Sequence, residues 1–271
     1  MSDRSRTYKT EGVVLHRRNI GEADSIFTVF SEREGKFEAV ARGVRKPKSH
    51  LRGHMEPLTR SQFMVARGRS LDVVTQAETI CAYRGIRDDL ERGAEAMYGA
   101  ELIDRFAIDR AEQPGLYALL LDFLDALEGG APLQITRCFE VQLLSLMGYE
   151  LQLDVCTLCA LPLGPVETLL SPSAGGLVCV DCRALAGGGR VLSLRALKVL
   201  RYARSSGVAA FAAVRFDEDL AHEMQHGIGG VIRYVLDHDV LSGRFVDQVA
   251  RLAPAGSRAG LAAPAERDHV Q

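Results

Sequence analysis

Cys156-Thr157-Leu158-Cys159 and, nineteen residues later, Cys179-Val180-Asp181-Cys182 are the stretches around which this chain is organised. A C-x-x-C pair makes a tight knuckle that presents two thiolates to one ion, and two pairs at this separation match a closed tetrahedral zinc site. Pro162, Gly164 and Pro165 follow the first knuckle, and Gly175-Gly176-Leu177-Val178 leads into the second, as in the two short hairpins of a zinc ribbon. Four unligated thiols are the plainer reading. A redox dithiol is the third, but it needs one pair at a helix start rather than two matched pairs. Cys156, Cys159, Cys179 and Cys182 are therefore expected to hold one structural zinc ion. Cys81 and Cys138 stand apart as isolated buried thiols.

Upstream of the knuckles the apolar period is helical. Leu90, Ala94, Met97, Ala100 and Leu102 open one helix, Leu116, Leu119, Leu120, Phe123, Leu124 and Leu127 a second, and Ile135, Phe139, Leu143, Leu144 and Met147 a third that ends at Gly148. Past a Gly187-Gly188-Gly189 linker the period returns with Leu194, Leu197 and Leu200, and again from Asp217 to Asp237. The cysteine module is thus inserted into a helical domain.

Before residue 81 the pattern is that of strands. Gly12–Arg17, Ser25–Phe30, Lys36–Arg42, Ser61–Val65 and Leu71–Gln76 are short, rich in β-branched and aromatic residues, and separated by turn residues. Five such strands suit a small closed barrel such as an OB-fold, a frequent nucleic-acid binder. The expected architecture is α+β, with an OB-fold barrel over 1–80, helices over 81–152, a zinc ribbon over 153–186, helices again over 190–250, and a disordered tail over 253–271, rich in Ala, Gly and Pro.

Formal net charge is -2, yet residues 1–80 carry 15 Lys and Arg against 10 Asp and Glu, while the remainder carries 18 against 25. One domain is thereby suited to a polyanion. The charge is densest in Arg42-Gly43-Val44-Arg45-Lys46-Pro47-Lys48-Ser49-His50-Leu51-Arg52, where Gly43 and Pro47 argue for an exposed loop. A charge run is often only a solvated surface. On a barrel, Arg42, Arg45, Lys46, Lys48 and Arg52, joined by Arg17 and Lys36 on the strands, can follow a phosphate backbone without reading bases. Phe27, Phe37 and Phe63 alternate with polar neighbours and belong to the barrel core, base stacking being the lesser reading. Neither a membrane span nor a secretory signal is expected, so the reading places the protein in the cytoplasm.

His222-Glu223-Met224-Gln225-His226 fits the H-E-x-x-H pattern of zinc hydrolases. The apolar stripe of that helix, Leu220, Met224, Ile228, Val231 and Val235, puts both histidines on roughly the opposite face, and no third ligand follows at the expected spacing. A solvated helix face is the expectation.

The N-terminal block resembles the RecO family of bacterial DNA repair proteins. The likeness is carried by Thr10-Glu11-Gly12-Val13-Val14-Leu15, Gly21-Glu22-Ala23-Asp24-Ser25-Ile26, Gly35-Lys36 and Ala41-Arg42-Gly43-Val44-Arg45-Lys46, and by the order barrel, helices, four-cysteine ribbon, helices over roughly residues 8–250. The resemblance implies a non-enzymatic recombination mediator, nucleoid-associated during repair. Such a protein binds single- and double-stranded DNA, anneals complementary strands, contacts the acidic tail of the single-stranded-DNA-binding protein, and with RecR helps load RecA. Arg201 and Arg204, beside a greasy groove on the helical domain, are the residues expected to meet that tail. The His222–His226 pair and the tail after Pro254 depart from the family pattern. Two other classes compete: a zinc-dependent hydrolase using His222, Glu223 and His226, and a zinc-ribbon scaffold that binds only protein.

Overall fold

In the computed structural model the described residues are 6–237 and 240–252, so the expected tail over 253–271 lies outside them. Strands β1 (Thr7–Ile20), β2 (Asp24–Ser31), β3 (Gly35–Ala41), β4 (Arg60–Ala66) and β5 (Asp72–Cys81) close into a barrel in the order β1-β2-β3-β5-β4. Strand β1 closes it, pairing with β4 through Thr7 to Val13 and with β2 from Val13 onward, and its register shifts between Val14 and His16. That irregularity lets one long strand bend across two partners. The β3–β5 pairing is parallel and all the others are antiparallel.

The run Val13-Val14-Leu15 is apolar on both faces because both faces are covered. Val14 points into the barrel with Phe27, Val29, Phe37, Phe63, Val65 and Val74. Val13, Leu15 and Phe30 point outward into the core of the helical domain. Phe27, Phe37 and Phe63 are buried, so they are core and offer no face for stacking.

The helical domain comprises α1 (Arg84–Asp88), α2 (Leu90–Phe106), α3 (Pro114–Glu128) and α4 (Ile135–Leu146). After the cysteine module come α5 (Leu194–Ser205), α6 (Val208–Phe211), α7 (Glu218–Leu236) and α8 (Leu241–Leu252). Asp89 caps α2 by accepting from the Glu91 and Arg92 N–H groups, and Asp217 caps α7 by accepting from Leu220. At the start of helix α8, Glu101 of α2 accepts from the Leu241 N–H at 3.0 Å and the Ser242 N–H at 2.7 Å.

Between α4 and α5 lies a sheet of order β7-β6-β8, built from β6 (Thr168–Ser171), β7 (Gly176–Val178) and β8 (Arg190–Leu192). The glycine run expected as a linker is instead the turn into a third strand, so the ribbon sheet extends past residue 186. Strand alternation splits the module between two cores. Leu169 and Val178 pack with Cys156 and Ala186, whereas Leu170, Leu177 and Leu192 belong to the helical core. No helix among the described residues is long and apolar enough to cross a membrane.

Candidate functional site

The basic loop after β3 is an ordered structure held from below. Val44 and Met55 are buried in the barrel core and Leu51 packs against it. The Gly43 N–H donates to Asp24 Oδ1 at 2.7 Å and the Arg45 N–H to the Ala23 carbonyl at 2.9 Å. With these apolar and backbone anchors turned inward, Arg42, Arg45, Lys46, Lys48 and Arg52 are all exposed. Arg42, Lys46 and Lys48 line an open groove of 610 Å³, whose other wall is Thr75, Gln76 and Ala77 of β5.

His50 and His54 complete the groove, and the sequence reading did not name them. His54 Nδ1 is held by Thr79, whose N–H lies at 3.1 Å and whose Oγ1 lies at 2.7 Å. Their signal in the sequence was only proximity to the cations, whereas Thr75 and Gln76 reach the groove through strand pairing. No Phe, Tyr or Trp lines it. The arrangement can neutralise phosphates and donate hydrogen bonds, and its only rings are the imidazoles of His50 and His54.

Two expected members of the cation set lie elsewhere. Lys36 sits at the junction of barrel and helices, where its Nζ lies 3.4 Å from Asp104 Oδ1 and 3.3 Å from Asp109 Oδ1 and donates to the Asp104 carbonyl. Its side chain is 16% exposed and its charge is paired with those carboxylates. Gly35 explains the close approach: with φ +62° and the Ala111 backbone against its Cα, any Cβ would collide. Arg17 pairs with Glu56 at 3.4 Å and hydrogen-bonds Asn19. It stands outside the groove lining.

The four cysteines converge. Their sulfurs all lie within 4.8 Å of one another, and Cys159 Sγ is 3.8 Å from Cys179 Sγ. A tetrahedron of zinc–sulfur bonds of about 2.3 Å has edges of about 3.8 Å, so the set fits a closed metal site. Backbone groups stitch the knuckles together: Cys156 N–H donates to the Leu161 carbonyl at 2.8 Å, and Thr157 N–H to the Leu177 carbonyl at 2.9 Å. Burial opposes ionisation of Cys156, yet donation from the Cys159, Cys179 and Leu158 N–H groups outweighs it and brings the thiol down to about 6. Such a sulfur is ready to bind a cation as thiolate. Gly176 is required here because a Cβ would collide with the Gln152 backbone carrying the first knuckle.

Arg201 and Arg204, expected at a peptide-binding groove, brace this module. Arg201 donates from Nε and Nη2 to the Leu153 carbonyl at 2.9 and 2.8 Å, and Arg204 Nη2 lies 2.9 Å from Asp154 Oδ2. Their charge is spent on the lead-in to the first knuckle.

The H-E-x-x-H residues do not converge as a hydrolase site. Glu223 accepts from the N–H of Ser193 and from its Oγ at 2.8 Å, tying α7 to the N-cap of α5. It is therefore turned away from a metal held by His222 and His226, both exposed. Among the described residues the cysteine set is the only cluster of three or more such ligands.

Comparison with known proteins agrees with this layout. A family model described as "Recombination protein O N terminal" matches residues 1–83, and "Recombination protein O C terminal" matches residues 87–244. A DNA repair protein RecO from Roseiflexus sp. (strain RS-1) is 35% identical over 99% of this chain and 95% of its own length. One from Pelotomaculum thermopropionicum is 35% identical over 93% of this chain and 98% of its own. One from Dehalococcoides mccartyi is 31% identical over 90% and 96%.

Proposed function

Because the chain belongs to the RecO family of DNA repair proteins, we propose that it is a recombination mediator that binds single- and double-stranded DNA along the basic groove of its barrel and anneals complementary strands. The observation that carries this reading is the exposed set Arg42, Arg45, Lys46, Lys48 and Arg52, anchored from below by Val44 and Met55, three members of which line one open groove. Annealing requires that two backbones be screened while base edges stay free to pair. A groove dominated by cations suits that task better than a base-reading surface.

The four thiolates hold zinc in this reading, because soft sulfur ligands in a closed tetrahedral set favour that ion. A filled tetrahedron leaves no position for water or substrate, so the ion folds the ribbon and does no chemistry. The protein further contacts the acidic C-terminal tail of the single-stranded-DNA-binding protein and, with RecR, helps load RecA onto strands which that protein coats. With Arg201 and Arg204 committed to residues 153 and 154, the tail docks on another face of the helical domain.

The test is strand annealing on DNA coated by the cognate single-stranded-DNA-binding protein, with and without its C-terminal tail. Annealing that needs the tail supports the whole reading. Annealing of bare strands alone removes the tail contact, and no annealing at any salt leaves a protein-binding scaffold.

A further inference from the structure

We propose that His222 and His226 form a second, open metal site on the outer face of α7, one that takes a divalent transition ion with a preference for imidazole. The two residues are four apart in the helix, both are exposed, and their ring centroids lie 3.9 Å apart with 37° between the planes. Side chains at that spacing stand one above the other, so each ring can turn a nitrogen toward a common ion.

The hydrogen bonding prepares one of them. His226 Nδ1 lies 2.8 Å from the His222 carbonyl oxygen. A carbonyl only accepts, so Nδ1 carries the proton and the lone pair is on Nε2. Holding the second ring nitrogen on a backbone carbonyl is how metal-binding histidines have their tautomer and orientation set.

Two imidazoles differ from the four thiolates of the ribbon in softness and number, so the sites do not compete for the same coordination. Among the described residues no third histidine, cysteine or carboxylate completes a set with this pair. Water therefore fills the remaining positions, and the donors select Ni²⁺ or Cu²⁺ over Mg²⁺ or Ca²⁺. Glu223 is bound to Ser193, so no carboxylate base stands beside the ion. The role is structural rather than hydrolytic.

What the ion stabilises is visible in the next turn, which contains Gly227, Gly229 and Gly230. Glycine weakens a helix relative to alanine. Only Gly227 has a packing reason, since a Cβ there would lie 3.2 Å from Leu192 Cδ2; around Gly229 and Gly230 there is open space. A chelate across His222 and His226 closes the turn before this weak stretch and holds the segment in which Glu223 caps α5.

The test titrates the zinc-loaded full chain with Ni²⁺ by calorimetry, assaying zinc before and after; Ni²⁺ avoids the thiol oxidation that Cu²⁺ would bring. The expected result is one Ni²⁺ per chain beyond the zinc, with a raised melting temperature. Affinity should fall about 10-fold or more in His222→Ala and in His226→Ala, because even losing an outer partner of a metal ligand costs that much. Zinc content should be unchanged in both, and His16→Ala, an exposed histidine on the barrel, should bind as the parent does. The site is overturned if the parent takes up no additional Ni²⁺, if Ni²⁺ only displaces zinc, or if the double variant binds as tightly as the parent.

Discussion

Arg110 Nη2 lies 2.6 Å from Asp72 Oδ2, an ion pair that fastens the segment after α2 to the start of β5. Tyr8 Oη donates to the same oxygen at 2.7 Å, and the Arg110 guanidinium lies 4.9 Å from the centroid of the Phe37 ring. Barrel and helices are thus joined by a polar network at the rim of an apolar contact that includes Phe30 against Tyr117.

Removing Arg110 tests this joint. Arg110→Ala leaves Asp72 with Tyr8 and Gly68 as its remaining donors, so a loss of about 1–2 kcal/mol is expected in urea unfolding at neutral pH. Burial alone would raise the Asp72 carboxyl, but hydrogen bonds from Tyr8, Arg110 and the Gly68 N–H hold it below the ordinary carboxylate value. A depressed carboxyl contributes stability that is present above its unfolded value and is lost as pH falls through its folded one. The gap between parent and Arg110→Ala should therefore narrow in acid. A gap that stays constant from pH 7 to about pH 2 would mean that the charge on Asp72 is not what the arginine holds.

The cation set predicts a salt dependence. For single strands, log affinity falls with log salt at about -0.7 per phosphate contact. Replacing Arg45, Lys46 and Lys48 by alanine should flatten the slope by about 2 if each meets one phosphate. Lys36→Ala should leave the slope unchanged and lower the melting temperature instead, since Lys36 is held by Asp104 and Asp109. Equal slopes in the triple variant and the parent would remove the loop from the interface.

The cysteine cluster, read as a zinc site, predicts a division of labour. One zinc per chain is expected by metal analysis, lost in Cys179→Ser and retained in Glu223→Gln. Because Leu170, Leu177 and Leu192 of the ribbon belong to the helical core, the loss should also loosen α5 and α7, seen as faster amide exchange there. DNA binding by the barrel should persist. If it vanished while the barrel remained folded, the ribbon would be part of the interface.

A buried carboxyl sets a second pH dependence. Glu140 is fully buried, accepts from Tyr98 Oη at 2.6 Å and lies 3.2 Å from Arg137. Burial outweighs the arginine and raises the carboxyl to about 7. Here the native state binds a proton that the unfolded chain has released. Stability should thus decline between the ordinary carboxylate value and about 7 and level off above it. Glu140→Gln should flatten that decline in thermal melts; an unchanged profile would place the titration elsewhere.

Much of this was legible in the residues because the signals are local. The cysteine spacing, the period-2 strands and the helical stripes each report contacts within a few positions of their source. The exposure of the loop cations was legible too, since Gly43 and Pro47 argue against a regular element. Lys36, Arg201 and Arg204 were misplaced for one reason: their partners, Asp104, Asp109, Leu153 and Asp154, lie many residues away. A cation looks the same in a sequence whether it is free or spent.

The sequence by itself determined the α+β class, the order of barrel, helices and inserted ribbon, and the four cysteines that cluster in it, because tight turns, alternation and cysteine spacing act over short stretches of chain. Only the tertiary structure decided which cations stay exposed, that β8 joins the ribbon sheet, and that Glu223 binds Ser193, the N-cap of α5. Those outcomes depend on which distant carboxylates, carbonyls and strand edges the packing brings within about 3–4 Å, and no local pattern encodes that distance.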